Sequence, residues 1–155
     1  MKSENLAVFL RDGVIPPIDK GDSKQFVIRK LGAPDDWKGR IDDIGWNEPL
    51  IEDFQETRHW HYGSVVVSFA EDCVSDMSIW YDGKLDSVEI KEAFGDFPKT
   101  CPILADLISF MERERIGFVC PEGIDACILT DGGVSIGCRN GIGSENSPVL
   151  GICAR

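Results

Sequence analysis

His59 and His61 are the only histidines in the chain, and a spacing of two puts both imidazoles on one side of a β-strand. Two such rings can share a zinc ion if a third nitrogen, sulfur or carboxylate ligand arrives from elsewhere. The local spacing supplies no such ligand, and a polar strand face opposite Trp60 and Tyr62 accounts for the pair equally well. Asp42-Asp43, Glu52-Asp53 and Glu71-Asp72 are adjacent carboxylates of the kind used for acid and base work. No serine, cysteine or histidine is tied to them by a motif. A cysteine nucleophile needs a thiol whose pKa is lowered, as at a helix N-terminus. Cys101, just ahead of a predicted helix, is the best placed of Cys73, Cys101 and Cys120 for this, with His59 or His61 as the base. Gly141-Ile142-Gly143-Ser144 has the glycines of a phosphate loop but neither its lysine nor its strand-to-helix setting. The chain thus carries no complete catalytic, metal or cofactor motif, and a non-enzymatic protein without a cofactor is expected, with cysteine-histidine chemistry as the open alternative.

The charge is more telling in its placement than in its size. Of a net −11, a balance of −9 falls between Asp35 and Asp82, where twelve acids face only Lys38, Arg40 and Arg58. A field of that sign repels nucleic acid and anionic membranes and favours encounter with a basic partner, although the same charge would also serve as a merely solvating face. The apolar run Leu6 to Leu10 is too short for the core of a secretion signal, and no stretch approaches the ~20 apolar residues of a membrane span. A cytoplasmic protein is expected. Of the six cysteines, Cys73, Cys101, Cys120, Cys127, Cys138 and Cys153, none forms a Cys-x-x-Cys pair, so buried reduced thiols are the simplest reading.

These groups need a scaffold, and the stretch from Thr57 to Tyr81 supplies its centre. Val65, Val67 and Phe69 alternate with Val66 and Ser68, and Met77, Ile79 and Tyr81 alternate with Ser78 and Trp80, so a three-stranded antiparallel meander is predicted. Ser3 is placed to cap a helix over Glu4 to Asp12 that stops at Gly13, and Asp22 with Gln25 has the spacing of a capping box for a second helix ending at Gly32. A third helix is predicted from an N-cap at Thr100, with Pro102 in its first turn, an apolar stripe of Leu104, Leu107, Ile108 and Met111, and a stop at Gly117. Strands are expected over Phe118 to Cys120, Ala126 to Thr130, Val134 to Cys138 and Val149 to Cys153, with a hairpin across Asp131-Gly132-Gly133. In the stretch from Lys84 to Phe97, Val88 and Ile90 suggest a short edge strand, with a helical turn as the alternative. The fold class is therefore α+β, an antiparallel sheet packed with helices. The chain reads either as one domain over 1–155 or as two degenerate helix-plus-strand units over 1–97 and 98–155.

The run GDSKQFVIRKLGAPDDW, followed after a loop by WHYGSVVVSF and another strand, resembles a small bacterial α+β module. That module occurs in the outer-membrane assembly lipoprotein BamE, twice over in the β-lactamase inhibitor protein, and in many short uncharacterised bacterial proteins, some encoded beside toxins. Gly21, Leu31, Gly32, Pro34, Trp60, Tyr62, Gly63 and Phe69 carry the resemblance, over about residues 20 to 81. Its implication is a protein-binding role, in its most concrete form that of an immunity protein blocking a basic toxin domain such as a nuclease.

Residues 35 to 56 set Trp37 and Trp46 among carboxylates, and tryptophans ringed by charge are the usual make-up of an interface hot spot; equally, the tryptophans would close the core by folding back over the sheet. The expected partner-binding residues are Asp35, Asp36, Trp37, Asp42, Asp43, Trp46, Glu52, Asp53, Glu56, His59 and His61. A small-molecule-binding or hydrolytic domain using the sheet face near His59 and His61 is the alternative.

Overall fold

Hydroxyl caps set where the first two helices begin. The computed structural model describes residues 3–37, 53–81, 89–120, 128–138 and 147–154. Helix α1 spans Glu4–Asp12, with the Ser3 side chain accepting from the Leu6 N–H and left-handed Gly13 closing it, as the sequence predicts. Helix α2 spans Lys24–Leu31, but its cap is Ser23, which accepts from the Phe26 N–H. Asp22 instead accepts from the Asp19 N–H in the preceding turn, so the cap lies one residue later than the Asp22–Gln25 spacing suggested. Helix α3 spans Leu104–Arg113 and has no side-chain cap. Thr100 does not open it, because the chain just before it runs extended: Ile103 bridges Pro148, and the Val149 N–H donates to the Pro102 carbonyl. The helix stops at Glu114, where Arg115 rather than Gly117 takes the positive φ.

Strands β1 (His59–Tyr62), β2 (Val65–Ala70) and β3 (Cys73–Trp80) form the predicted meander. Strands β4 (Phe118–Val119), β5 (Ile128–Thr130), β6 (Val134–Cys138) and β7 (Val149–Ala154) follow the third helix. All seven join one antiparallel sheet in the order β1-β2-β3-β7-β6-β5-β4. The last strand in the chain thus lies at the centre, hydrogen-bonded to β3 on one side and β6 on the other. Ile90 makes only an isolated bridge to Gly63, and Val88 lies outside the described residues. The α+β class with an antiparallel sheet stands.

The strands' alternation decides which side chains enter the core. Trp60, Tyr62, Val65, Val67, Met77, Ile79, Ile128, Val134, Ile136, Ile152 and Ala154 all point inward and are buried, in one cluster with Leu6, Phe9 and Leu10 of α1, Val27 of α2 and Leu107, Phe110 and Met111 of α3. Each large apolar side chain removed from water contributes about 1.5–3 kcal/mol. The helices therefore cover one face, the inner one. The polar tips of buried aromatics are answered: Trp60 Nε1 donates to the Phe54 carbonyl at 2.8 Å and the Tyr62 hydroxyl to the Gly32 carbonyl at 3.0 Å. Among the described residues, no buried side-chain nitrogen or oxygen lacks a partner, and no helix is long and apolar enough to cross a membrane.

Candidate functional site

The odd-numbered residues of β1 and their cross-strand neighbours populate the outer face. His59 and His61 both project there, opposite buried Trp60 and Tyr62. His59 Nδ1 lies 3.0 Å from the Ser68 Oγ, and Ser68 in turn sits opposite Asp76, so the three make one row. The Ser75 hydroxyl adds a bond of 2.8 Å to Asp76 Oδ2. Histidine, serine and aspartate in a row suggest a hydrolase, but activation requires the imidazole between the hydroxyl and the carboxylate. Here the serine is in the middle, an order that builds a polar ladder and not a proton relay. Among the described residues, no group of three histidines, cysteines or carboxylates is gathered as a metal site would need.

The expected partner-binding acids divide by what holds them. The backbone at Asp35 and Asp36 is stitched to the outer edge of β1, with Asp35 N–H donating to the His61 carbonyl and His61 N–H to the Asp36 carbonyl, both at 2.8 Å. Asp35 also accepts from the Gly63 N–H and forms an ion pair of 2.8 Å with Lys91. Asp53 caps the short helical turn Phe54–Glu56 by accepting from the Gln55 N–H, while Glu56 is exposed. Trp37 does not stand out as an anchor. Its ring packs 5.7 Å from Phe54, which packs 5.2 Å from Trp60, which packs 4.4 Å from Phe69, a continuous aromatic file into the core. Asp42, Asp43, Trp46 and Glu52 lie outside the described residues. The structure therefore brings Asp35, Asp36, His59 and His61 together at the β1 edge. It places Asp53 and Glu56 at the turn where Phe54 meets Trp60.

Lys24 links that turn to the sheet. Its ammonium reaches the Gln55 carbonyl at 2.5 Å and Asp72 at 2.8 Å, and lies over the Trp60 and Phe69 rings at 5.8 and 5.5 Å from their centroids. Asp72 belongs to a two-residue turn in which both Glu71 (φ 51°) and Asp72 (φ 64°) are left-handed, the geometry that matches the twist of a hairpin. Of the twelve acids between 35 and 82, then, Asp35 and Asp72 are each met by a lysine distant in sequence.

At Cys101 the thiol shows none of the lowering that the cysteine alternative calls for. Its thiol donates to the Val149 carbonyl at 3.1 Å, and burial pushes its pKa up, a tendency that the Val149 bond only partly opposes. A nucleophile requires the reverse shift. Cys73 and Cys120 are exposed, so the expectation of uniformly buried thiols is corrected, whereas Cys138 is buried in the core.

What the sequence reading passed over is the breadth of the outer face. One row crosses the entire sheet: His61, Val66, Ser78, Cys153, Ser135, Leu129 and Val119. The next row holds Trp80, Gly151 and Gly137. None of the seven strands contains a lysine or arginine, whereas α1 carries Arg11, α2 carries Lys24, Arg29 and Lys30, and α3 carries Arg113. The other described lysines and arginines, Lys20, Arg58, Lys91, Lys99 and Arg115, lie in the connecting segments. The available signal was the absence of basic residues from every strand, together with glycines inside two of them. Comparison with protein-family models, with curated proteins and with solved structures finds no match for this chain.

Proposed function

We propose that this chain is a non-enzymatic protein-binding domain of the cytoplasm that engages a basic partner through its sheet side, and that it serves as an immunity protein neutralising a cationic toxin domain, such as a nuclease whose substrate site is built for phosphate. The absence of basic residues from all seven strands is the observation that carries the reading. Strands without a single cation, holding Asp76 and fringed by Asp35, Asp36, Glu56 and Glu71, present a negative to neutral surface, while the described lysines and arginines sit in helices and connecting segments. A partner that expects phosphate would be steered to that side.

The test is binding to the purified product of the reading frame beside this one, measured across ionic strength. Charge-steered association weakens steeply as salt screens it, with a Debye length of about 8 Å at physiological ionic strength. Tight association that falls with added salt and suppresses the partner's toxicity supports the proposal. No association, or one indifferent to salt, removes it.

A further inference from the structure

We infer that the helical layer carries a site apart from the sheet, a groove along α1 that takes a free basic amino acid such as arginine. The groove has a volume of about 570 Å³, within the range of small-molecule sites. Ala7 and Val8 line its middle, and Glu4 and Arg11 stand at its two ends, with Asp96 and the α3 cap residue Glu114 beside them. Glu4, Arg11 and Asp96 are all exposed, so the groove is reached directly from solvent.

Opposite charges share this space without meeting. Positions seven apart on a helix are separated by about 10 Å along its axis. Neither Glu4 nor Arg11 forms an ion pair with a described residue, whereas Glu114 already meets its neighbour Arg113 at 3.2 Å. The wall that holds Asp96 is built against the start of α1. The Ser3 hydroxyl donates to the Asp96 carbonyl, the Asn5 N–H to Asp96 Oδ1 at 3.4 Å, and Asn5 Nδ2 to the Phe94 carbonyl at 2.6 Å. A Cβ on Gly95 would collide with that same Asn5 amide, so glycine lets the wall sit this close. A wall fixed before binding spares the ligand the cost of ordering it. The charges then select the occupant. A purely cationic molecule would leave Arg11 unanswered, and a simple acid would leave Glu4 and Asp96 unanswered. A basic amino acid answers both ends: its carboxylate goes to the Arg11 guanidinium, and its side-chain cation to the carboxylates of Glu4 and Asp96. Its α-ammonium is accommodated because three carboxylates against one guanidinium leave the groove net acidic.

The experiment uses the full chain at low ionic strength, with L-arginine and its decarboxylated counterpart agmatine as probes and calorimetry and amide chemical shifts as readouts. Saturable binding of L-arginine with Kd about 0.1–1 mM is expected, with shifts centred on residues 4–11, 96 and 114. Agmatine, lacking the carboxylate, should bind about tenfold more weakly. Arg11→Gln should erase the difference between the two probes, and Asp96→Asn should weaken both alike. Both side chains are exposed, so the variants should melt close to the wild type. The inference is overturned if L-arginine does not saturate by about 10 mM, if the shifts fall elsewhere, if agmatine binds the wild type as tightly as arginine, or if Arg11→Gln preserves the difference. Because none of these residues lies on a strand, each such result leaves the basic-partner reading of the sheet side standing.

Discussion

Gly132 and Gly133 are neighbours in the same hairpin, yet the structure assigns them unequal reasons for being glycine, and alanine at each separates the two. At Gly133 the backbone is left-handed (φ 75°) and no described residue lies within 4 Å of where a Cβ would stand. Alanine there incurs a conformational cost of about 1–2 kcal/mol, partly offset by the ~0.4–1 kcal/mol gained from a stiffer unfolded chain. The net loss should be about 1 kcal/mol. Gly132 has no such φ, but a Cβ on it would come within 2.5 Å of the Arg11 carbonyl carbon and closer still to its oxygen. Backbone blocks backbone at that point, so the β5–β6 hairpin would have to lift away from the end of α1. Overpacking that a rotamer change cannot relieve costs about 3 kcal/mol or more, a large share of the ~5–15 kcal/mol that holds a domain together. Urea titration followed by tryptophan fluorescence checks both variants. At about 2–4 °C per kcal/mol for a chain of this size, Gly132→Ala should melt roughly 6–12 °C lower and Gly133→Ala only a few degrees lower. Equal losses, or a larger loss at Gly133, would falsify the contact between hairpin and helix end.

The remaining expectations concern the cap, the lysine clamp and alkaline pH. Ser23→Ala should cost about 1 kcal/mol because it strips the α2 cap, whereas Asp22→Ala, which touches only the turn before it, should cost less; thermal melts of the pair decide which residue is the cap. Asp72→Asn should change stability by less than ~1 kcal/mol, since an exposed carboxylate adds little to an ion pair and asparagine accepts the left-handed turn. Lys24→Ala, losing both its bond to the Gln55 carbonyl and the ammonium that lies over Trp60 and Phe69, should cost about 2–3 kcal/mol; a smaller loss than at Asp72 would overturn the clamp. Burial raises the pKa of Cys101, Tyr62 and Tyr81 in the folded chain, so the fold retains these protons more tightly than the unfolded state does. Their contribution is therefore complete below pH ~8.5, starts to fall as free thiols ionise, and falls further as free tyrosines do above pH ~10. Urea midpoints measured from pH 7 to 11 should decline in that order, Cys101→Ala should flatten the earlier part, and alkylation of Cys101 should be slower than that of a free thiol throughout.

Local signals carried the local structure. The Ser3 cap and Gly13 stop gave α1 residue for residue, and alternation over Val65–Phe69 and Met77–Tyr81 gave both the meander and its inward face, because a cap or a strand's parity is settled by neighbours in the chain. The errors fall where distant segments intervene. Thr100 looked like the start of α3, but Pro102 and Ile103 are occupied by the strand beginning near Pro148, a contact no local pattern announces. Trp37 could be read either as an interface anchor or as a ring folded back over the sheet, and its packing on Phe54 is of the second kind, a choice that needed Phe54 and Trp60 from farther along the chain. Asp35 and Asp72 counted toward an unbroken acidic field, yet Lys91 and Lys24 reach them from more than forty residues away along the chain. The Trp80–Gly151–Gly137 row was invisible for the same reason: three residues on three strands become neighbours only when the sheet order is known.

That order also constrains how the molecule comes into being. Residues 149–154 supply the rungs that join the meander to the hairpin strands, so during synthesis two partial sheets must wait, each with a sticky margin, until the final segment slips between them. Removing that keystone would do more than shorten the protein. It would part the described strands into two groups that no ladder of hydrogen bonds joins, and a nascent chain that stalls just short of it is the form most exposed to mispairing and clumping.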